Sequence, residues 1–599
     1  GLLLGYLSKN QFKYLQGFKR TIYDVRWLNW EGRDLDRLFM NQLNADDWRR
    51  AIKNIQTDLT DAVIDASVKK LPVEIYPLDS AEIPKKLKNR RDVLTKEAMI
   101  FYKFLSKNVN IVGSNQQEYF KVKNNGDSLQ VIVYRKKDDI DSAGILYNRT
   151  FDSRITKELR LYGLNGNDKF EIADNASSKI KIRMIGGKGN DTFNIKGKVR
   201  NFIYDIKATD TTREKNEINK SKSSSVYLSS DPFVNEYKPS GESYNIYRFP
   251  QFNLGYNPED KLLIGFGASA KTFGFRKDPF STYQKLSALY APSHSAYQVK
   301  YQGIFNQVLF NNDILVNADL VSPTLNNFFG FGNSTVKDEQ KPEEYYRVRY
   351  KYFSADLLLR NRLASFLDFS FGPTYYHYSS KFDDNKNRIL ANPLLIGSDS
   401  ARIYSNKDYL GGKARLDINF VNNELVPTRG ITWYNEFSAL AGLSGKTKNL
   451  IKLTSDMTVY ASFNEERKWV GIARFGIGKI FSKNFEYFQA LSLGANNFIR
   501  GFRKERFSGS GLAYGSAELR VKLFKSQSYI LPGDVGVIGF YDVGKVWMRY
   551  QTSKKWHQSF GGGLYYSPFN IIIISGTVGI SDEDKLLNFS LGTKFRLTF

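Results

Sequence analysis

The chain contains no cysteine and only three histidines, His294, His377 and His557, scattered over 599 residues. Without cysteine there can be no disulfide, thiolate nucleophile or zinc–thiolate site, and histidines this sparse do not build an imidazole metal cluster or a His-based triad. No run approaches the roughly 20 apolar residues that a membrane-spanning helix needs, and the mean hydropathy is −0.43. Helical membrane spans are excluded. Proline is scarce at 16 residues, whereas the chain holds 37 Tyr, 44 Phe and 46 Gly. That balance describes a β-rich chain whose strands are apolar on one face only. The length implies at least two folding units.

Residues 1–110 carry helical periodicity, in segments 34–43, 45–59, 60–71 and 80–105. Asn44 and Thr60 stand where N-caps belong, and Pro72 and Pro77 punctuate the third segment's exit. From 111 to 207 the period becomes two, as in Leu129-Gln130-Val131-Ile132-Val133-Tyr134, which follows the turn Asn124-Asn125-Gly126-Asp127. This β module holds one short motif twice, Gly163-Leu164-Asn165-Gly166-Asn167-Asp168 and Gly186-Gly187-Lys188-Gly189-Asn190-Asp191. The second copy fits the Gly-Gly-x-Gly-x-Asp pattern of calcium-binding β-roll repeats, which makes Asp168 and Asp191 calcium candidates. Two isolated copies are not an array, and the plainer reading is a pair of Gly/Asn/Asp turns between solenoid-like strands. Residues 208–244 are rich in Lys, Ser, Thr and Glu and read as a linker. The opening Gly-Leu-Leu-Leu-Gly-Tyr-Leu is too short, and lacks the basic flank, for a secretory signal, so a mature or truncated chain is expected.

From 245 to 599, segments of ten to fifteen residues alternate strictly between apolar and polar. Ile451 to Phe463 keeps the period throughout, and in Tyr346-Arg347-Val348-Arg349-Tyr350-Lys351-Tyr352 one face is apolar and the other wholly basic. A barrel with lipid outside and water inside produces this pattern, because every backbone group must be paired once water is gone. Strands are predicted near 245–256, 261–274, 282–291, 295–306, 313–321, 343–360, 364–380 and 408–421. Eight more follow near 429–442, 449–463, 468–480, 511–524, 534–548, 557–567, 570–580 and 586–599. The count is even, and the long connections 322–342, 381–407 and 481–510 all fall on one end. The fold class expected is therefore an all-β transmembrane barrel of sixteen antiparallel strands, preceded by a soluble α+β region on the periplasmic side of an outer membrane. The net charge of +26 is assigned to lipopolysaccharide phosphates or to carboxylates across the lumen. Its basic residues alternate along strands instead of clustering beside stacking aromatics, so nucleic acid is not an expected partner.

The last strand, with Phe589, Leu591, Phe595, Leu597 and the terminal Phe599 on one face, resembles the β-signal by which outer-membrane barrels are handed to their assembly machinery. The loop after strand 11 holds Asn497-Phe498-Ile499-Arg500-Gly501-Phe502, followed by Gly511 to Arg520 and by Gly539-Phe540-Tyr541-Asp542-Val543-Gly544. This combination resembles the BamA/TamA-type outer-membrane assembly factors of the bacterial surface antigen superfamily. Asn327-Phe328-Phe329-Gly330-Phe331-Gly332-Asn333 and Pro427-Thr428-Arg429-Gly430 agree with it. The resemblance implies that Arg500, Gly501 and Phe502 fold back into the lumen and that Arg500 meets Asp542, with Glu518 as a second candidate. A confined guanidinium needs a carboxylate in any case. The resemblance covers 245–599 only, and POTRA modules are not recognisable upstream.

The function this implies is insertion or translocation of outer-membrane or surface proteins. Client barrels, periplasmic or lipoprotein subunits and outer-membrane lipid would be the partners. A passive pore, or an anchor tethering the N-terminal module, is the alternative. No nucleophile–base pair or metal cluster supports an enzyme.

Overall fold

The computed structural model describes residues 16–592 except 136–143, 208–214, 240–244, 258–260, 278, 310–311, 394–399, 425, 446, 465–466, 496–497, 528–531, 550 and 569–572. The chain divides into two compact units, residues 1–242 and 243–599.

The first unit opens with helices α1 (Arg33–Phe39), α2 (Ala45–Asp58), α3 (Asp61–Val68), α4 (Glu82–Asp92) and α5 (Leu94–Leu105). Asn44 caps α2 in a reciprocal capping box with Asp47, and the Thr60 hydroxyl caps α3. The segment expected as one helix over 80–105 breaks at Val93, which ends α4 and starts α5. Pro77 does not end a helix but sits inside the single turn Tyr76–Asp79, where a missing N–H costs nothing.

Among the described residues eleven strands follow: β1 (Asn108–Val112), β2 (Glu118–Asn125), β3 (Ser128–Arg135), β4 (Ile145–Phe151), β5 (Glu158–Asn165) and β6 (Lys169–Ile172). They continue as β7 (Lys181–Lys188), β8 (Thr192–Ile195), β9 (Asn201–Ile206), β10 (Glu217–Asn219) and β11 (Ser224–Ser229). Alternate strands form two sheets, β1-β5-β7-β9-β11 and β10-β8-β6-β2, each parallel throughout, with the β3–β4 hairpin continuing the second. This is a two-sheet β-solenoid. Its interior is built from columns of residues in register, Ile111–Leu161–Met184–Ile203–Val226 on one sheet and Phe120–Phe170–Phe193–Ile218 on the other. The Phe rings stack at 4.7 and 5.0 Å. The helices shield the free edges of the first coil: Asn41 donates to the Asn110 carbonyl at 3.1 Å and Gln42 to that of Leu146 at 3.0 Å.

The expected linker 208–244 is corrected by this arrangement, since β10 and β11 lie within it and complete the last coil. Their only inward apolar residues are Ile218 and Val226, too few to stand out in a Lys/Ser-rich segment.

Among the described residues the second unit is built, besides two short two-stranded ladders in its loops, on one sheet of sixteen antiparallel strands. They are β12 (Ile246–Asn257), β13 (Lys261–Thr272), β14 (Thr282–Ala291), β15 (Ala296–Leu309), β16 (Asn312–Ser322), β17 (Lys351–Ala364), β18 (Leu367–Ser379) and β19 (Lys407–Val421). The other eight are β20 (Gly430–Gly442), β21 (Leu450–Ser462), β22 (Trp469–Ile480), β23 (Gly511–Ser526), β24 (Gly533–Trp547), β25 (His557–Pro568), β26 (Ile573–Ile580) and β27 (Lys585–Gly592). The outward face is apolar, as with Phe475, Leu564 and Phe589, each at least half exposed. The inward face is polar and its charges are paired: Lys413 with Asp356 at 2.8 Å, Arg415 with Glu436 at 2.8 Å and Arg360 with Asp313 at 2.8 Å. No described helix is long and apolar enough to cross a membrane.

One predicted strand needs correction. Residues 343–350 are not part of the barrel wall: Glu343–Tyr346 is a helical turn, and Arg347–Val348 pairs with Asn326–Asn327. The alternating Tyr346, Val348 and Tyr350 are buried among Phe328, Phe329, Tyr378, Leu390 and Tyr487. Alternation there marks the core of a cap that the long loops build over one end of the barrel, and it has nothing to do with a lipid face.

Candidate functional site

The loop 481–510 is held at two places. On one side Phe488 stacks on Tyr378 at 4.1 Å and the Tyr487 and Tyr378 hydroxyls lie 2.9 Å apart. Close by, Glu486 meets Arg402 at 3.1 Å and the fully buried Lys407 at 3.9 Å. Residues 323–350 brace the same loop, with Gly332 N–H donating to Ser508 O at 2.8 Å and Asn327 N–H to Glu505 at 2.8 Å.

The other attachment is the loop tip, which enters the barrel. Arg500 takes Asp542 bidentately, Nε to Oδ2 at 2.9 Å and Nη2 to Oδ1 at 2.8 Å, and its backbone N–H donates to the same carboxylate at 3.0 Å. Its Nη1 donates to Glu518 Oε2 at 2.5 Å and Nη2 to Ser516 Oγ at 3.1 Å. The guanidinium lies 3.5 Å over the Phe540 ring. One planar cation therefore uses its fork on two carboxylates and its face on an aromatic quadrupole, an arrangement that an ammonium could not reproduce. Strand alternation places Ser516 and Glu518 on one inward face, and Phe540 and Asp542 on the next.

Gly501 is where the loop meets the wall. A Cβ there would lie 2.6 Å from Ser559 Cβ and 2.9 Å from the Ile580 carbonyl carbon, while a Cβ on Gly579 would lie 2.5 Å from Arg500 O. Two facing glycines thus let the loop backbone rest directly on the backbone of β26. Phe502 is fully buried, edge-on to Phe507 at 5.4 Å and to His557 at 5.5 Å. Asn588 of β27 donates to Arg500 O at 3.0 Å, and Ser581 to Gly501 O at 2.7 Å. Phe498 packs on Tyr514 at 4.2 Å with Arg474 beside it. The five residues Phe498–Phe502 consequently touch six consecutive strands, β22 through β27. Just beyond the tip, Arg503 pairs with Asp584 at 3.0 Å and Arg506 with Glu583 at 2.6 Å, both in the turn between β26 and β27.

Arg500, Gly501, Phe502, Asp542 and Glu518 are thus brought together. Phe540, Ser516, Gly579 and Asn588 join them without having been singled out in the sequence. Only a charged residue in a motif carries a local signal, whereas an Asn on an alternating strand looks like any lumen-facing polar group. Of the terminal strand's aromatic series, Phe589 points outward and half exposed. The side chain of Leu591 and the whole of Phe595, Leu597 and Phe599 lie outside the described residues.

Asp168 and Asp191, the calcium candidates, are each 1% exposed. Their Oδ1 atoms accept the N–H of Glu118 at 2.7 Å and of Asp168 at 2.8 Å, and Asp191 N–H donates in turn to Asn216 at 2.9 Å. The paired motifs are therefore rungs of a coil-to-coil hydrogen-bond ladder. Among the described residues no group of three or more His, Asp or Glu could hold a metal ion.

Among the described residues no backbone ladder joins β12 to β27, although some of their Cα atoms approach within 8 Å. β12 has a register shift between Arg248 and Gln251 at Pro250, which has no N–H to donate.

The model of the Omp85 superfamily domain matches residues 296–595. Among solved structures the chain is similar to BamA from Haemophilus ducreyi lacking POTRA domains 1–3, at 16% identity and a TM-score of 0.41, covering 58% of this chain and 69% of that one. It is also similar to CdiB from Acinetobacter baumannii, at 13% identity and 0.36, covering 58% and 59%, and to CdiB from Escherichia coli, at 13% and 0.36, covering 62% and 65%. The chain spans less than two thirds of either CdiB. No curated protein sequence matches it. With a sixteen-stranded barrel and a family match over half its length, the chain belongs to the Omp85 superfamily.

Proposed function

We propose that the chain assists insertion or export of other outer-membrane or surface proteins through a barrel that opens between β12 and β27, with the 481–510 loop as the latch. The observation that carries this reading is the seat of the loop tip on the inner wall, ending on β27 itself through Asn588. Moving β27 and moving the loop tip are then one event. An opened edge of β12 or β27 offers unpaired N–H and C=O groups, to which an incoming β-strand adds by main-chain hydrogen bonds. The break in β12–β13 pairing at Pro250 loosens β12 along its other edge, so that β12 itself can move when the seam parts. In this reading the loop end faces outward and residues 1–242 lie in the periplasm, where clients and periplasmic or lipoprotein subunits would be met. Outer-membrane lipid and lipopolysaccharide surround the barrel. The work is strand exchange and needs no bond chemistry or cofactor. A passive pore is the competing reading, and a loop tip bonded across the inner wall argues against it.

The latch is tested by charge exchange. Arg500→Asp puts a third carboxylate beside two others and should destabilise the closed barrel by on the order of 3–5 kcal/mol, read as a lowered unfolding temperature in detergent together with loss of function in cells. Arg500→Asp combined with Asp542→Arg should recover part of both. A silent Arg500→Asp would sink the latch. Controlled depletion followed by quantitative outer-membrane proteomics tests the function itself. Early loss of other barrels or surface proteins is expected, and an unchanged proteome would leave only the pore or anchor.

A further inference from the structure

Followed by register round the sheet from Phe475, the outward positions of the barrel strands are almost free of charge. Among the described residues the charged side chains there are Lys351, Asp408, Lys479, Lys545 and Lys585, and all of them lie at the end that carries the long loops. Lys351 opens β17, Asp408 is the second residue of β19, Lys479 is the last but one of β22, Lys545 stands two before the end of β24, and Lys585 opens β27. Asp408 is engaged by His377 at 2.8 Å. A charge on the lipid-facing side of a barrel is cheap only where headgroups begin. Lysines gathered at one end therefore mark a leaflet whose headgroups carry the opposite sign.

Two of these lysines belong to one patch. Lys479 pairs in register with Gly511 and Gly511 with Trp547, and the next outward row is Ile477, Ala513 and Lys545. A Cβ on Gly511 would lie 3.6 Å from the Trp547 ring and 3.8 Å from Lys479 Cδ, so lysine stem and indole approach each other across the glycine. The Lys545 ammonium lies 5.5 Å from the Trp547 ring centre and 5.8 Å from that of Trp556, and the two indoles meet edge-on at 6.1 Å. Lys545 is only 8% exposed. Among the described residues neither Lys479 nor Lys545 is in an ion pair, whereas the neighbouring Lys555 is held by Asp582 at 2.7 Å. Ring quadrupoles offset part of a buried ammonium's charge. The rest calls for an anion from outside the protein, and on this face the surroundings are lipid.

We propose that Lys479 and Lys545, with Trp547 and Trp556, bind the phosphate of a phosphorylated glycolipid of the lipid A type. A phosphomonoester carries close to two negative charges, which suits two ammonium groups better than the single charge of a phosphodiester does. The small Gly511 and Ala513 leave room between the lysines for the headgroup, and the indoles offer flat faces to a sugar ring. The inference rests on the loop end facing outward, as proposed above, and is independent of client handling.

The whole protein in detergent micelles is titrated, by native mass spectrometry, with lipid A bearing both phosphates, with the same lipid A stripped of them, and with phosphatidylglycerol. The native chain should hold the phosphorylated form on the order of tenfold more tightly than either of the others. Lys479→Gln combined with Lys545→Gln should abolish that preference, and Lys351→Gln, the same loss of charge elsewhere on the rim, should leave it in place. A native chain without preference, or a preference that survives the double substitution, would overturn the site. An equal loss with Lys351→Gln would overturn it too, because it would report rim charge at large. Release of lipid A by an equal concentration of inorganic phosphate would assign the patch to a soluble anion instead. Because the chain has no cysteine, the exposed Asp383 of the cap, changed as Asp383→Cys, reads the orientation separately when whole cells are treated with a membrane-impermeant maleimide. Labelling without a lipid A preference would overturn this inference alone, and absence of labelling would overturn the outward placement on which it rests.

Discussion

The solenoid and the barrel are both written in period two, and they use it with opposite sign. In the solenoid the apolar half of each strand points inward, as Phe120, Phe170 and Phe193 do, and charged residues such as Lys181 and Arg183 stand outside. In the barrel the carboxylates and arginines stand inside, and Phe475 and Leu564 face out. Alternation therefore fixes that a strand has two faces without saying which solvent each face meets. Strand length settles that question here: the solenoid's strands run from three to eight residues and the barrel's from eight to sixteen.

Substitutions of one kind in the two regions should give opposite results. The largest difference is expected from aromatic truncation. Phe170→Ala opens a void in the stacked interior and should cost about 3–5 kcal/mol, read as lost hydrogen-exchange protection across β5 to β9. Phe475→Ala on the barrel's outer face should leave exchange of β22 and β23 nearly unchanged. Adding a charge reverses the ranking. Met457→Arg on the outward face of β21 should cost about 2–4 kcal/mol near the bilayer midplane, measured by reversible unfolding from liposomes. On the solenoid's outer face the native Arg160 and Arg183 are tolerated through Glu158.

That carboxylate supplies a pH-dependent test. Burial pushes Glu158 up, but Arg160 and Arg183 override it and hold its carboxyl at about 2. A depressed folded value means that the stabilisation is complete above the unfolded value near 4.5 and is lost as pH falls toward 2. The loss should amount to as much as about 3 kcal/mol, followed as pH-dependent exchange of β5 and β7. Glu158→Gln should flatten that profile, and a profile unchanged by the substitution would remove the ion network as its cause. The smallest effect expected is that of Asn588→Ala. Losing its bond to Arg500 O should cost about 1 kcal/mol and show as faster exchange in β27 relative to β24.

Much of the barrel was legible because outward aromatics and inward charges repeat over strands too long to arise from local accident. Tyr346 to Tyr350 failed for an instructive reason: a cap core assembled from loops buries every second residue just as a strand does. The solenoid's last coil was hidden by brevity, as β10 shows only Ile218 to the interior. At the candidate site, Arg500, Asp542 and Glu518 could be named through the resemblance of their motifs to the BamA/TamA-type barrels, with which a confined guanidinium's need for a carboxylate agrees. Gly579 and Asn588 could not, since their significance arises only when a loop some 80 residues earlier folds onto them.

The seat of the loop tip also bears on how the barrel is built. The hydrogen bonds and ring contacts described for Phe498–Phe502 all fall between Arg474 and Asn588, in the last six strands of the barrel and the segments that join them. The tip's bonds close loops of 16 to 88 residues, and the cost of closing them grows only with the logarithm of that length. The six C-terminal strands and their turns therefore hold every hydrogen-bond partner named for the loop tip, whereas the rest of the loop is fixed only once Tyr378, Arg402 and residues 323–350 are in place, so the barrel's two halves meet across one loop.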